Sequence, residues 1–253
     1  MNTEPALSAA LDGTAVIESG DERGEFAGLL LASLGAEVIK LEGRAGSNSR
    51  RLGPFSTPQP NPEHSLCFCR YNLGKKSVSL EIDHPAAATV LDRLAKRASV
   101  IIDSGEAADI VRRLALYREM QASNPRLIVC TITPFGLDGP YRDLKMTNLT
   151  QLAMGGVMAS CGYDARPDGV YDTPPIAPEM WQAYHIACEY AVIAITAITS
   201  VATTTDNRSR DRRDADDGAR RAARIRSAPK VMAAATAATS QPARTSESQW
   251  MLR

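Results

Sequence analysis

The stretch TAVIESGDERGEFAGLLLASLGAEVIKL, Thr14–Leu41, decides the fold. Thr14–Glu18 is a short β-rich run. Arg23–Leu34 then repeats apolar residues at helical spacing and stops at Gly35, a residue that tolerates the left-handed turn just past a helix end. Glu37–Leu41 reads as a second strand. A strand, a helix and a strand in so short a span predict two parallel strands with the helix covering one face.

The same alternation extends outward. Ser77–Ile82 alternates as a strand, His84–Arg97 is an amphipathic helix with Pro85 near its first turn, and Val100–Asp103 is a near-continuous apolar strand. Ala107–Ala122 predicts a helix, Leu127–Thr133 a buried strand closed by Pro134 and the turn-rich Gly136–Pro140, and Thr147–Ser160 and Pro178–Ser200 two further helices. The expected fold is α/β, a doubly wound parallel sheet. Tyr190–Ala202 is mostly apolar but shorter than the roughly 18–20 residues of a membrane span, and it is read as a core helix.

Composition narrows the function. The chain of 253 residues is 44% hydrophobic, enough for a sizeable core. Its 29 basic and 29 acidic residues cancel, which removes the basic field of a nucleic-acid or anionic-membrane binder and makes a small molecule the expected partner. Five cysteines without framework spacing, and no charged-then-apolar leader before Leu7, give a cytoplasmic expectation. The balance hides an asymmetry. Residues 1–200 carry a formal charge of −5 and residues 201–253 one of +5. The latter segment holds ten Arg, one Lys and two low-complexity runs, so it is expected to be disordered, with at most a fraying helix around Asp217–Arg226.

Several local patterns invite chemistry. His64, Cys67 and Cys69 do not have the spacing of a zinc site, so no metal is expected. Gly20, Gly24 and Gly28 do not spell a dinucleotide fingerprint, and Arg23 and Glu25 crowd the place a pyrophosphate would take. The Arg-rich stretch Arg208–Arg226 is interrupted by Asp and lacks a stacking aromatic. Lys75-Lys76, after the turn Asn72-Leu73-Gly74, and Arg112-Arg113, after a strand, are two cationic clusters on separate connections of one sheet. Such a pair suits a ligand with several phosphates.

Four ordered blocks then carry a resemblance. Leu34–Glu42 (LGAEVIKLE), Asn72–Leu80 (NLGKKSVSL), Asn124–Ile128 (NPRLI) and Phe135–Tyr141 (FGLDGPY) are similar in order and spacing to the class III CoA-transferase family, and the likeness runs on through Gly155-Gly156 to about Ser200. That family includes formyl-CoA and carnitine CoA-transferases and α-methylacyl-CoA racemases. The resemblance implies a Rossmann-like large domain over residues 1–200, a second smaller domain, and interlocked dimers, either homodimers or heterodimers with a related subunit. It implies coenzyme A or acyl-CoA as substrate rather than as a permanent cofactor, with Lys75, Lys76 and Arg112 at the positions of CoA contacts.

The family reaction, as the resemblance implies it, moves CoA between an acyl-CoA and a small carboxylic acid. An aspartate attacks the acyl-CoA to form a mixed anhydride, and CoA thiolate returns to give an aspartyl-CoA thioester. The acceptor acid then regenerates the carboxylate. Ala183 or Tyr184 occupies that aspartate's position here, and neither forms an anhydride. A register slipped by about one turn brings Glu179 to it and His185 to a family histidine. The racemase pair is unmatched as well, with Thr147 at its histidine. Family members continue well past the last helix, whereas here the family-like sequence gives way to the residue 201–253 segment, as a truncated or frame-shifted coding sequence would produce. Three readings follow: a CoA-transferase or a fragment of one, a non-catalytic CoA-binding subunit, and a remnant without function.

Overall fold

The computed structural model describes residues 9–162, 165–171, 173–174 and 176–200, and the backbone of 201–215 and 233–234. Strands β1 (Ala15–Gly20), β2 (Glu37–Glu42), β3 (Lys76–Ser79), β4 (Val100–Ser104), β5 (Ile128–Ile132) and β6 (Ala233–Ala234) form one sheet in the order β3-β2-β1-β4-β5-β6. All pairings are parallel. Helices α1 (Glu25–Ser33), α2 (Leu66–Tyr71), α3 (Ala87–Ala95), α4 (Ala107–Ser123), α5 (Asn148–Met154) and α6 (Gln182–Ala215) complete the described elements, with three short 3-10 turns. The chain steps outward from β1 to β3, then returns to place β4 on the other side of β1. That reversal sets the loops after β1 and β4 side by side at the strand carboxyl ends, the place where open α/β sheets take ligands.

Alternation along the strands feeds two cores. On one face Val16, Val38, Val100, Ile102 and Cys130 pack with Ala27 and Leu31 of α1 and Cys188, Ala191 and Ile195 of α6. On the other, Ile17, Leu41, Ile101 and Val129 pack with Leu91 of α3 and Tyr117 and Met120 of α4. Residues 182–200 of α6 are long and apolar enough to cross a membrane by length and composition. One side of this helix is instead the lid of the first core.

Each core carries a buried ion pair. The β1–β2 register sets Glu18 opposite Lys40, both on the α1 face and both 1% exposed. Lys40 Nζ lies 2.9 Å from Glu18 Oε1 and 3.0 Å from Glu25 Oε1 of α1. Burial opposes the Lys40 charge, but the two glutamates outweigh it and hold the ammonium above its ordinary range. Gly28 is required above this cluster, because a Cβ there would strike the Glu18 carboxylate and lie 3.0 Å from Lys75 Nζ. On the opposite face, Arg113 Nε and Nη2 each donate at 2.9 Å to the Asp103 carboxylate, and the Tyr117 hydroxyl donates to it at 2.7 Å.

Four expectations are corrected. The strand expected over Ser77–Ile82 ends at Ser79, because its partner β2 ends at Glu42 and only one backbone bond, Leu80 N–H to the Glu42 carbonyl, follows. The helix expected over Thr147–Ser160 breaks at Gly155-Gly156, where Gly156 has φ 78°, into α5 and a 3-10 turn. The helix expected from Pro178 begins at Gln182, after Met180 at φ 66°. It also continues past Ser200 to Ala215, since no Gly or Pro interrupts residues 201–215. Ala233–Ala234 forms a short strand beside Cys130 and Thr131. The fraying helix expected around Asp217–Arg226 lies outside the described residues.

Replacing Lys40 by Met leaves Glu18 and Glu25 buried without their shared counter-charge. The expected loss of folding stability is about 3–5 kcal/mol, read as a lower urea midpoint. An unchanged midpoint would show that the cluster carries none of the stability.

Candidate functional site

The candidate crevice position, at the carboxyl ends of β1 and β4, is occupied by Gly20–Gly24, Ser104–Glu106 and the start of α6. Gly20 sits at φ 107°, and a Cβ there would collide with the Ser104 backbone, so only glycine lets the loop lie against the end of β4. Ser104 Oγ accepts from the Asp21 N–H at 3.1 Å and donates to the Asp21 carbonyl at 3.0 Å. Cys188 Sγ of α6 reaches the Arg23 carbonyl at 3.1 Å. The loop is thus held from both sides.

The charges inside it are unevenly satisfied. Arg23 Nη2 donates to Glu106 Oε1 at 2.6 Å, and Arg23 Nε faces Asp21 Oδ2 at 3.5 Å without a hydrogen bond. Arg23 Nη1 and Glu22 Oε2 are also buried without a hydrogen-bond partner. Burial pushes the Asp21 carboxyl up to about 6, against the pull of Arg23. Tyr184, at a position the family resemblance gives to the aspartate, has Arg23, Glu22 and Asp21 as its charged surroundings, and burial raises its hydroxyl.

Aromatic rings form one wall. Tyr71 of α2 stacks on Trp181 at 5.1 Å and shares a 2.8 Å hydrogen bond with His185 Nε2. Phe26 of α1 packs on His185 at 4.4 Å, and Trp181 meets Tyr184 at 5.9 Å. Burial holds the His185 imidazole below its ordinary value, so the ring is neutral near pH 7. Burial also pushes the Cys67 thiol up to about 11 and Cys188 up to about 12, which leaves both as thiols.

The two dibasic clusters are each divided by the fold. Lys75 points inward: its Nζ donates to Glu18 Oε2 at 2.7 Å, the Glu25 carbonyl at 2.7 Å and Asn72 Oδ1 at 2.9 Å. An ammonium has three N–H groups, and here all are taken. Lys75, expected from the resemblance at a CoA contact, is here buried beneath α1 with its ammonium engaged by Glu18, Glu25 and Asn72. Lys76 points outward, paired at 2.5 Å with Glu37 on the sheet edge. Arg112 is exposed and bonded to Asp109 at 2.5 Å, one helical turn away, while Arg113 is the buried partner of Asp103. Lys76 and Arg112 are not brought together by any described contact: β2 and β1 separate β3 from β4, which leads into α4.

Glu179 is exposed on the loop before α6, where its backbone carbonyl accepts from Gln182 Nε2 at 3.2 Å. His64 Nδ1 lies 3.2 Å from Ser56 Oγ, and Cys69 is exposed. Among the described residues no group of three His, Cys, Asp or Glu side chains is placed to hold a metal ion. The crevice residues Asp21, Glu22 and Glu106 were not selected from the sequence. Their only signal was their place, just past strands flanking the reversal of the sheet.

This arrangement can be set beside known proteins. The model of "CoA-transferase family III" matches residues 11–209, most of the chain and all of β1 to β5. The chain belongs to CoA-transferase family III. A relative in this family, succinyl-CoA:(R)-benzylsuccinate CoA-transferase subunit BbsE of Thauera aromatica, is 32% identical over 70% of this chain and 42% of its own length. Succinate–glutarate CoA-transferase of Agrobacterium fabrum is 31% identical over 67% of this chain and 42% of the relative. The family fold is seen in a CAIB/BAIF family protein of Brucella suis, with TM-score 0.67, 29% identity, and coverage of 78% of this chain and 51% of that one. The fold is shared too by Rv3272 of Mycobacterium tuberculosis, with TM-score 0.61 and 24% identity over 79% and 52% of the two chains. The family member described here spans under half the length of the curated relatives it matches.

The raised Asp21 value has a consequence for stability. Unfolded aspartate titrates near 3.8 and the folded group near 6, so the folded state binds the proton more tightly. Stability therefore falls as pH rises from the lower value through the higher. Asp21→Asn is expected to raise stability above pH 6 by about 1–3 kcal/mol and to have no such effect near pH 3. Melting curves across pH check this; a pH-independent difference contradicts it.

Proposed function

We propose that the chain binds coenzyme A thioesters and moves CoA between an acyl-CoA and a small carboxylic acid, as the large-domain half of a class III CoA-transferase. The observation that supports this most is the family match from residue 11 to 209, laid over a parallel sheet whose reversal brings charged loops together at the strand carboxyl ends. Substrates are CoA thioesters and free acids, and no resident cofactor or metal is part of this reading. Lys76 and Arg112 are the proposed phosphate contacts. Each is exposed and holds only a surface carboxylate, an ion pair that a phosphate group can displace at little cost. Lys75 acts indirectly, by tying the Asn72–Gly74 turn to Glu18 and Glu25 and so presenting Lys76.

The proposed setting is the cytoplasm, and the proposed assembly is a homodimer or a heterodimer with a related subunit. Exposed Leu149, Met154, Tyr190 and Ile193 on α5 and α6 support a covered face there. In domain terms, residues 1–200 are proposed as the large domain's N-terminal part and 201–253 as a separate tail.

A second reading has its own support. The relative from Thauera aromatica is a subunit by name, and Ala183 and Tyr184 supply no carboxylate at the position the resemblance assigns to the nucleophile. On that reading the chain binds CoA while a partner subunit performs the chemistry, and acyl exchange appears only on mixing the two.

Calorimetry with CoA tests the binding claim. Lys76→Ala combined with Arg112→Ala is expected to weaken CoA about tenfold, a change of about 1.4 kcal/mol, and to shrink the preference for CoA over dephospho-CoA. Lys75→Ala is expected instead to lower the melting temperature. Unchanged CoA affinity in the double variant removes Lys76 and Arg112 from the site.

A further inference from the structure

We propose that His185 and Tyr71 form an acid-released joint between α6 and α2, closed while the imidazole is neutral and opened when the ring takes a proton. The two residues are 114 positions apart in the chain, and 2.8 Å separates the Tyr71 hydroxyl from His185 Nε2. Rings clamp the start of α6 around that bond. Phe26 of α1 packs on His185 at 4.4 Å, and Trp181, one turn before His185, stacks on Tyr71 at 5.1 Å with 17° between the planes. His185 is thus the point where α1, α2 and α6 meet.

The hydrogen bond has a fixed direction. Arg70 acts on the Tyr71 oxygen as a donor, so the phenolic hydrogen is the one given to His185, and Nε2 must be bare to receive it. An imidazolium carries a hydrogen on both ring nitrogens and accepts nothing. Protonation therefore sets two donors against each other inside an aromatic wall where Tyr71 is only 3% exposed. It also adds a second positive charge near Arg70.

The surroundings do not compensate for that charge. Burial and Arg70 of α2 both disfavour the imidazolium, and Glu189, one turn further along α6, opposes them without cancelling them. From α1 comes the uncharged Phe26, since Glu25 is engaged by Lys40, Ser47 and Ser49. Cys67 of α2 and Cys188 of α6 remain thiols. Asp21, Glu22 and Arg23 of the loop after β1 act on Tyr184, the residue before His185. The closed ring therefore titrates below its ordinary 6.5, and the released ring regains that value. The joint has its full strength above pH 6.5 and loses it as the pH falls from there through the closed ring's lower value. Asp21 works in the opposite sense, because acid neutralises its buried carboxyl. Through the joint, pH sets how firmly the first turn of α6 is held, and with it Tyr184 beside the charged loop.

The test is hydrogen–deuterium exchange of the full chain from pH 8 to pH 5, read by peptide mass spectrometry and corrected for the pH dependence of intrinsic exchange. Peptides covering Leu66–Asn72 and Trp181–Cys188 are expected to lose protection together, by up to about tenfold per pH unit below 6.5, and to stay flat in His185→Gln. The other two histidines, His64 and His84, are exposed and do not touch either helix end of the joint. Arg70→Gln, which removes the opposing cation, is expected to shrink the fall, and Glu189→Gln to enlarge it. Protection that is flat across the range, a fall in one helix without the other, or an equal fall in His185→Gln overturns the joint. If His185→Gln does not fold, the Arg70→Gln and Glu189→Gln pair decides, and equal falls in both overturn it.

Discussion

The pairing of Glu18 with Lys40 across β1 and β2 is the constraint on which the site-bearing half of the molecule depends. Two charges buried inside an apolar layer are tolerable only when each is matched and hydrogen-bonded. Matching them enlists Glu25 from α1, Ser47 and Ser49 from the segment after β2, and Lys75 and Asn72 from the turn before β3. Segments from both ends of the sheet are thereby tied to one buried point. Gly28 has no side chain because α1 must come down onto the carboxylate.

The second core repeats the device with Asp103, Arg113 and Tyr117, which anchor α4 to β4. In both cores a neighbouring pair of cations is split, one member buried and the other exposed. The buried member spends its charge on architecture. The exposed member is left for solvent or for a ligand, at a position its buried neighbour fixes. Each dibasic pair in this fold is therefore one buried anchor and one exposed cation.

The crevice shows the opposite economy. Around the cluster under α1 the hydrogen-bonding capacity is used up, whereas on the Asp21–Glu22–Arg23 loop buried donors and an acceptor remain unmatched. Unmatched polar atoms out of water cost folding free energy, and among the described residues three of the five such side-chain atoms lie on this loop. Tyr71, Trp181 and Phe26 pack into one aromatic wall around His185, whose burial lowers its pKa.

The sequence by itself determined the order of β1 to β5 and of helices α1 and α3 to α6, the parallel sense of the sheet and the family. These depend on periodicity and on motifs read along the chain, as in Thr14–Leu41 and the four blocks from Leu34 to Tyr141. The two cationic clusters, Lys75-Lys76 and Arg112-Arg113, were legible as pairs. Tertiary structure alone decided that Lys75 and Arg113 turn inward, that Glu179 is exposed, and that Glu22 and Arg23 meet the start of α6. Adjacent residues of like charge look alike in a sequence, while the side each takes is set by partners far along the chain: Glu18 for Lys75, and Asp103 for Arg113. The end of β3 at Ser79 and the break at Gly156 have the same origin, since one is set by the length of a neighbouring strand and the other by a turn between packed helices.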